Sequence, residues 1–170
     1  MKLFKSLSLL IPLLLFVTLS ARAQNEVMLE QATLQGINGF YVSVNVEGNK
    51  ELTKYDTLNV TKMQRDVENK LRDAGLPLQQ EAGSRQGQDY PMLYIHVNVM
   101  DAGRGLIPFA VDVKFYQPVK LTLNRDIQTA ASTWSSGYLG LVSYDRLGVI
   151  RQSMLSELEN FIREFNSANR

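Results

Sequence analysis

Apolar and polar residues alternate strictly over residues 40–46. Phe40, Val42, Val44 and Val46 fall on one side, and Tyr41, Ser43 and Asn45 on the other. Successive side chains of a strand point to opposite faces, so this segment predicts a half-buried β-strand. The same period recurs over 92–100, with Leu93, Ile95, Val97 and Val99 inward and Tyr94, His96 and Asn98 outward. It recurs once more from about 107, where Phe109, Val111, Val113 and Phe115 oppose Ala110, Asp112, Lys114 and Tyr116. Between these two, residues 101–105 read as a hairpin connection, because their glycines reach positive φ without steric cost. Pro118 has no N–H to give a ladder and marks a bulge, a bend or an edge, with the strand resuming over 119–123. Residues 76–81 form a shorter candidate strand. A Thr/Ala/Ser-rich stretch around Trp134, residues 127–136, is a fifth, followed by a loop over 137–143.

The period changes to three and four in two places. Val60, Met63, Val67, Leu71 and Ala74 make one apolar stripe, which predicts a helix over 61–74. Thr61 and Gln64 stand at capping-box spacing, and Gly75 follows as a left-handed terminator. Leu147, Ile150, Met154, Leu158, Phe161 and Phe165 make the second stripe, in a helix that Asp145 caps and that ends near residue 165. Glu157 lies off the stripe and is expected in solvent. The order is β-α-β-β-β-β-α. It implies an α+β two-layer sandwich: a largely antiparallel sheet of four or five strands, two helices on one face, the other face open. Residues 24–36 read as a loose arm or edge strand ahead of a single domain over 37–170, and 82–90 as a polar, Gly-rich loop.

The N-terminus sets the compartment. Lys2 and Lys5 precede an apolar run over 7–19, and Ser20-Ala21-Arg22-Ala23 offers a small-x-small cleavage site. The run is shorter than the roughly 20 apolar residues that span a bilayer. Residues 1–23 are therefore expected to be a cleaved signal peptide, leaving no integral membrane span. The expected location is the periplasm, with secretion as the other outcome. Cleavage takes 23 of 170 residues, among them three of the 18 basic ones, against 17 acids. The remaining 147 carry a net charge of −2, with no basic field to hold nucleic acid. The chain has no Cys, so disulfides and thiol chemistry are excluded, as is a lipid anchor on Cys. Asn59-Val60-Thr61 matches a glycosylation sequon but sits where the first helix begins.

Chemistry is sparse. His96, the only histidine, could act as a base or a metal ligand, but no second His or Cys exists to complete a site. An exposed strand histidine is the plainer reading. No Ser lies in a Gly-x-Ser-x-Gly elbow. Asp101 and Asp112 flank one hairpin and could converge as acid and base, though hairpin-rim carboxylates are usually solvated. Two glycine-containing loops could hold an anion. One is 83–87 with Arg85; the other joins Gly137 and Gly140 to Arg146, a cation in the first helical turn where it opposes the helix dipole. The phosphate fingerprints are absent. No cofactor is implied, and the chain reads as a non-enzyme. The open face carries Tyr41, Tyr94, His96, Tyr116 and Trp134. Amphipathic aromatics of this kind are enriched at protein interfaces, and they also stabilise ordinary sheet surfaces.

Thr133-Trp134-Ser135-Ser136-Gly137, Gly140 and the closing helix over 146–165, together with the helix ending in Ala74-Gly75-Leu76, resemble a group of small exported bacterial proteins of unknown function. That resemblance spans most of the mature chain and transfers no catalytic residue. The element order is also similar to envelope assembly modules such as the lipopolysaccharide-assembly lipoprotein, although the lipidated Cys of that protein is missing here. The expected function is binding another cell-envelope protein through the open sheet face. The alternative is a small-molecule or lipid carrier, with a pocket between sheet and helices.

Overall fold

Four strands hydrogen-bond in the order β1-β2-β3-β4: β1 (Tyr41–Gly48), β2 (Met92–Val99), β3 (Leu106–Lys120) and β4 (Gln128–Ser143). The computed structural model describes residues 28–79 and 90–170. The expected signal peptide over 1–23 and most of the loop over 82–90 lie outside these residues. β1 and β2 run parallel, joined through the helical layer; β2, β3 and β4 form an antiparallel meander. A four-residue helix α1 (Lys50–Thr53), helix α2 (Val60–Asp73) and the long helix α3 (Gly148–Ala168) follow in chain order. The protein is thus an α+β two-layer structure with a mostly antiparallel open sheet.

The alternating residues close the core. Leu93, Ile95, Val97, Val111, Val113 and Phe115 are buried against Met63, Val67 and Leu71 of α2 and Ile150, Met154, Leu158 and Phe161 of α3. Each such side chain contributes about 1.5–3 kcal/mol by leaving water. At one end, Phe161 meets Phe115, Trp134, Phe165 and Phe40 at ring-centroid distances of 5.5, 5.1, 5.7 and 5.8 Å.

Several elements depart from expectation for identifiable reasons. Helix α2 is capped by Asn59, whose side chain accepts from the Lys62 N–H at 3.0 Å, and not by Thr61. Its end is as expected: Gly75 takes φ 75°, and the Leu76 and Gly75 N–H groups bond to the carbonyls of Leu71 and Arg72. Residues 76–79 contribute one parallel bridge, Leu78 to Phe40, instead of a strand. Residues 128–143 form one 16-residue strand, with no loop over 137–143. Pro118 is accommodated because β3 outruns β2: Tyr116 is the last residue paired to β2, and Pro118 lies on the overhang paired to Ala130 alone. Asp145 does not cap α3. It accepts from Ser143 in a 3-10 turn over Tyr144–Arg146, and α3 starts at Gly148 without a side-chain cap.

The described part of the expected arm, 28–36, is neither loose nor a strand. Residues 28–32 are helical, Leu34 is fully buried, and Gln117 donates to the Thr33 carbonyl at 2.8 Å. Asn169 clasps the same segment by donating to the Leu34 carbonyl and accepting from the Gly36 N–H.

Gln64, freed from capping, closes the outer edge of β1. Its Oε1 accepts from the Val44 N–H at 2.8 Å and its Nε2 donates to the Val42 carbonyl at 3.1 Å. One side-chain amide thereby stands in for the backbone of a missing neighbour strand, which blocks that edge against other chains. Replacing Gln64 with Ala is expected to cost about 1–3 kcal/mol, because two backbone groups beside the buried Val44 lose their partners. Urea unfolding would measure it, and a loss under about 0.5 kcal/mol would mean that water serves these groups as well.

Candidate functional site

The face of the sheet away from α2 and α3 is assembled by register. Ser43 pairs with Tyr94, Asn45 with His96, Tyr94 with Lys114, His96 with Asp112, and Met92 with Tyr116. All of these point outward because their neighbours in sequence point into the core. The Tyr94 ring lies 6.1 Å from His96, stacked, and 6.4 Å from Tyr116, edge-on; Tyr41 meets Tyr90 at 5.9 Å. Four of the five expected surface residues, Tyr41, Tyr94, His96 and Tyr116, are therefore brought onto one face, each half-buried by its neighbours.

Trp134 is not among them. It pairs with the inward-facing Phe115, so it shares that residue's face and is only 2% exposed. Its indole N–H donates to Glu164 of α3 at 2.7 Å. The reversal originates in a bulge between Phe115 and Tyr116, where Trp134 and Ser132 pair with consecutive β3 residues and Thr133 is the extra residue. Parity on β4 then runs Trp134, Ser136, Tyr138, Gly140 and Val142 inward. Ser135, Gly137, Leu139 and Leu141 face outward.

That parity exposes residues which the expected loop had hidden. Leu139 is 79% and Leu141 60% exposed, opposite Ala110 and Pro108 on the open face. Continuing the two-residue alternation through Gly137 and Gly140 would have found them. Gly140 is an extended strand residue; a Cβ there would sit 2.6 Å from the Phe109 ring, so the glycine makes room for packing. The expected anion site accordingly does not form. Gly137 and Gly140 face opposite sides of one strand, and Arg146 is exposed in the turn beyond it.

The other candidates are also separated. His96 Nε2 lies 3.1 Å from Glu47 Oε2, a surface contact at the sheet face. Among the described residues no group of three His, Asp or Glu side chains is disposed to hold a metal. Asp112 sits mid-strand opposite His96, whereas Asp101 lies past the end of β2 and accepts from the Tyr144 hydroxyl at 2.6 Å, so the two do not converge.

Glu157, expected in solvent, is only 8% exposed. It lines a cleft of about 260 Å3 between α3 and β4, with Tyr138, Val149, Gln152, Ser153 and Ser156. Its Oε2 accepts from the Ser136 hydroxyl and from the Asn160 amide at 3.0 Å. Helical spacing alone did not reveal it, because α3 buries a face wider than its apolar stripe where it crosses the small side chain of Ser136.

Four carboxyls are held below their ordinary values. Glu68 is lowered first by the Gln64 amide and further by Arg72, Glu159 by Lys70, Asp101 by the Tyr144 hydroxyl, and Asp145 by Ser143. Each binds a proton more weakly folded than unfolded, so its contribution is present above the unfolded value, 4.5 for Glu and 3.8 for Asp, and is lost as pH falls through the folded one. Melting temperature is expected to be level from neutral pH down to about 5 and to drop below 4.5. Tyr144→Phe should shrink the acid-side loss by removing one of these bonds.

These features define an open-faced α+β sandwich with an aromatic and aliphatic outer sheet surface. No helix among the described residues is long and apolar enough to cross a membrane. No protein-family model and no curated protein matches the chain. Among solved structures it is similar to a hypothetical protein from Chlamydia trachomatis, at 9% identity and a TM-score of 0.39, over 78% of this chain and 95% of that one.

Proposed function

We propose that this is a non-enzymatic, exported domain that binds another cell-envelope protein through its open sheet face. The observation that carries the reading is the composition of that face. Tyr94, His96 and Tyr116 lie side by side, the exposed Leu139 and Leu141 lie on the same face two strands away beyond Lys114 and Asp112, and no described helix covers them. Rigid amphipathic rings beside aliphatic side chains are what well-packed interface centres use. The export part rests on the signal-like N-terminus, and a periplasmic location on the absence of Cys. Among the described residues the cleft between β4 and α3, at about 260 Å3, falls below the roughly 300–1,000 Å3 of small-molecule sites, which makes the carrier alternative the less favoured.

A photocrosslinking residue at Tyr94 tests this in the native host, with the exposed Arg65 on α2 as the control position. One discrete envelope protein should be captured at Tyr94 and not at Arg65. The double variant Tyr94→Ser/Tyr116→Ser should weaken binding of that protein by at least about 2 kcal/mol while leaving the circular dichroism spectrum unchanged. Equal adducts at both positions, or none at Tyr94, would overturn the assignment.

A further inference from the structure

The two edges of the sheet are treated differently. Gln64 and the Leu78 bridge close β1, whereas β4 is the other outermost strand and pairs on one side only. Its 16 residues include no Lys, Arg, Asp, Glu or Pro, the residues that usually guard a free edge. Thr33 covers this edge at one point, its hydroxyl donating to the Thr133 carbonyl at 3.0 Å, and the uncharged edge beyond it, from Ser135 to Ser143, is a template for strand addition.

The cleft at Glu157 lies beside that edge. Its lining comes from β4 and α3 alone, so it opens at the margin of the sheet and not beneath it. Glu157 is more than nine-tenths buried, yet it forms no ion pair with a described residue, and both of its hydrogen bonds land on Oε2. A carboxylate withdrawn from water is stabilised when a cation meets it. Oε1, the hydroxyls of Ser153 and Ser156 and the side-chain carbonyl of Gln152 supply acceptors for such a cation.

A strand added to β4 would run about 4.8 Å outside it, with alternate side chains pointing toward the helical layer. One of them would enter this cleft. We propose that the outer edge of β4 receives an extended segment of a partner protein as a fifth strand, and that one Lys or Arg of this segment seats on Glu157. A second copy of this chain fits less well: a β4–β4 pair would bring no cation, since β4 has none. The site is separate from the open face and stands or falls independently of it.

The test uses random twelve-residue peptides displayed on phage, selected on the purified protein, with the enriched sequences then made synthetically. Enriched peptides should alternate β-forming residues around one Lys or Arg. Changing that residue to norleucine should weaken binding to the wild-type protein about 30-fold or more, the loss seen when one member of a buried charge pair is removed. Glu157→Gln keeps an acceptor for Ser136 and Asn160 and should show the same loss. N-methylation of alternate peptide amides should abolish binding, which a free amine in the cleft would not require. The proposal is overturned by peptides without a basic position, by norleucine binding equal to Lys or Arg, by no enrichment over a bare-surface control, or by n-butylamine competing as well as the peptide. It is equally overturned by a dimer of the purified protein that excludes the selected peptides, which would give the edge to a second copy.

Discussion

Phe161→Ala is expected to lower the unfolding free energy by about 3–5 kcal/mol, at the upper end for single core truncations. The ring is fully buried on α3 and touches Phe40, Phe115, Trp134 and Phe165, which come from the residue just before β1, from β3, from the outermost strand β4 and from the same helix. Edge-on and offset aromatic pairs each add about 0.5–1.5 kcal/mol beyond the area they bury. Small domains hold only about 5–15 kcal/mol in total, so the variant should sit near the edge of stability. The surrounding rings are rigid and come from different elements, so collapse into the cavity is limited. Phe161→Leu should lose visibly less, because it keeps most of the volume. Urea unfolding of the three proteins measures the series. An alanine variant within about 1 kcal/mol of wild type would show that α3 slides to refill the space.

The fold class was legible because three strands and two helices carry clean periods. Leu93, Ile95, Val97 and Val99 alternate without a break, and α2 has both its stripe and its Gly75 stop signal. What was not legible depended on contacts between distant segments. Gln64 stands three residues after Thr61, so local spacing assigns it to a cap, yet the unpaired backbone of β1 claims it. Asn59, two residues earlier, does the capping. Gly137 and Gly140 signal a loop to any local rule; only Phe109 on the neighbouring strand explains a glycine in the ladder. Tyr41, Tyr94, His96 and Tyr116 were placed correctly because they lie on strands of unbroken parity. The bulge beside Phe115 and the polar face of α3 each hide one residue. They put Trp134 in the core and bury Glu157 against Ser136.

Trp134→Ser separates the core from the open face most directly. Were Trp134 a surface residue, serine would be tolerated and would act on binding alone. Buried as it is, the substitution should cost about 3–5 kcal/mol through the lost ring, and Glu164 would also lose its indole donor. The variant is therefore expected to unfold at much lower urea than wild type, whereas Tyr94→Ser/Tyr116→Ser should stay close to it. Trp134→Phe divides the effect: a six-membered ring remains, the pyrrole portion and its N–H are lost, and the cost should fall between wild type and serine, about 0.5–1.5 kcal/mol of it from the hydrogen bond. A double-mutant cycle with Glu164→Ala should return a coupling of similar size, since the two side chains are in direct contact. Because the chain has a single tryptophan, its fluorescence reports this one site. Blue-shifted emission, poorly quenched by acrylamide and shifting red with the urea transition, is the expected signature of an indole held between Phe161 and β4. Water-like emission from the folded protein would return Trp134 to the surface, and with it the reading that the open face extends across β4 at that point.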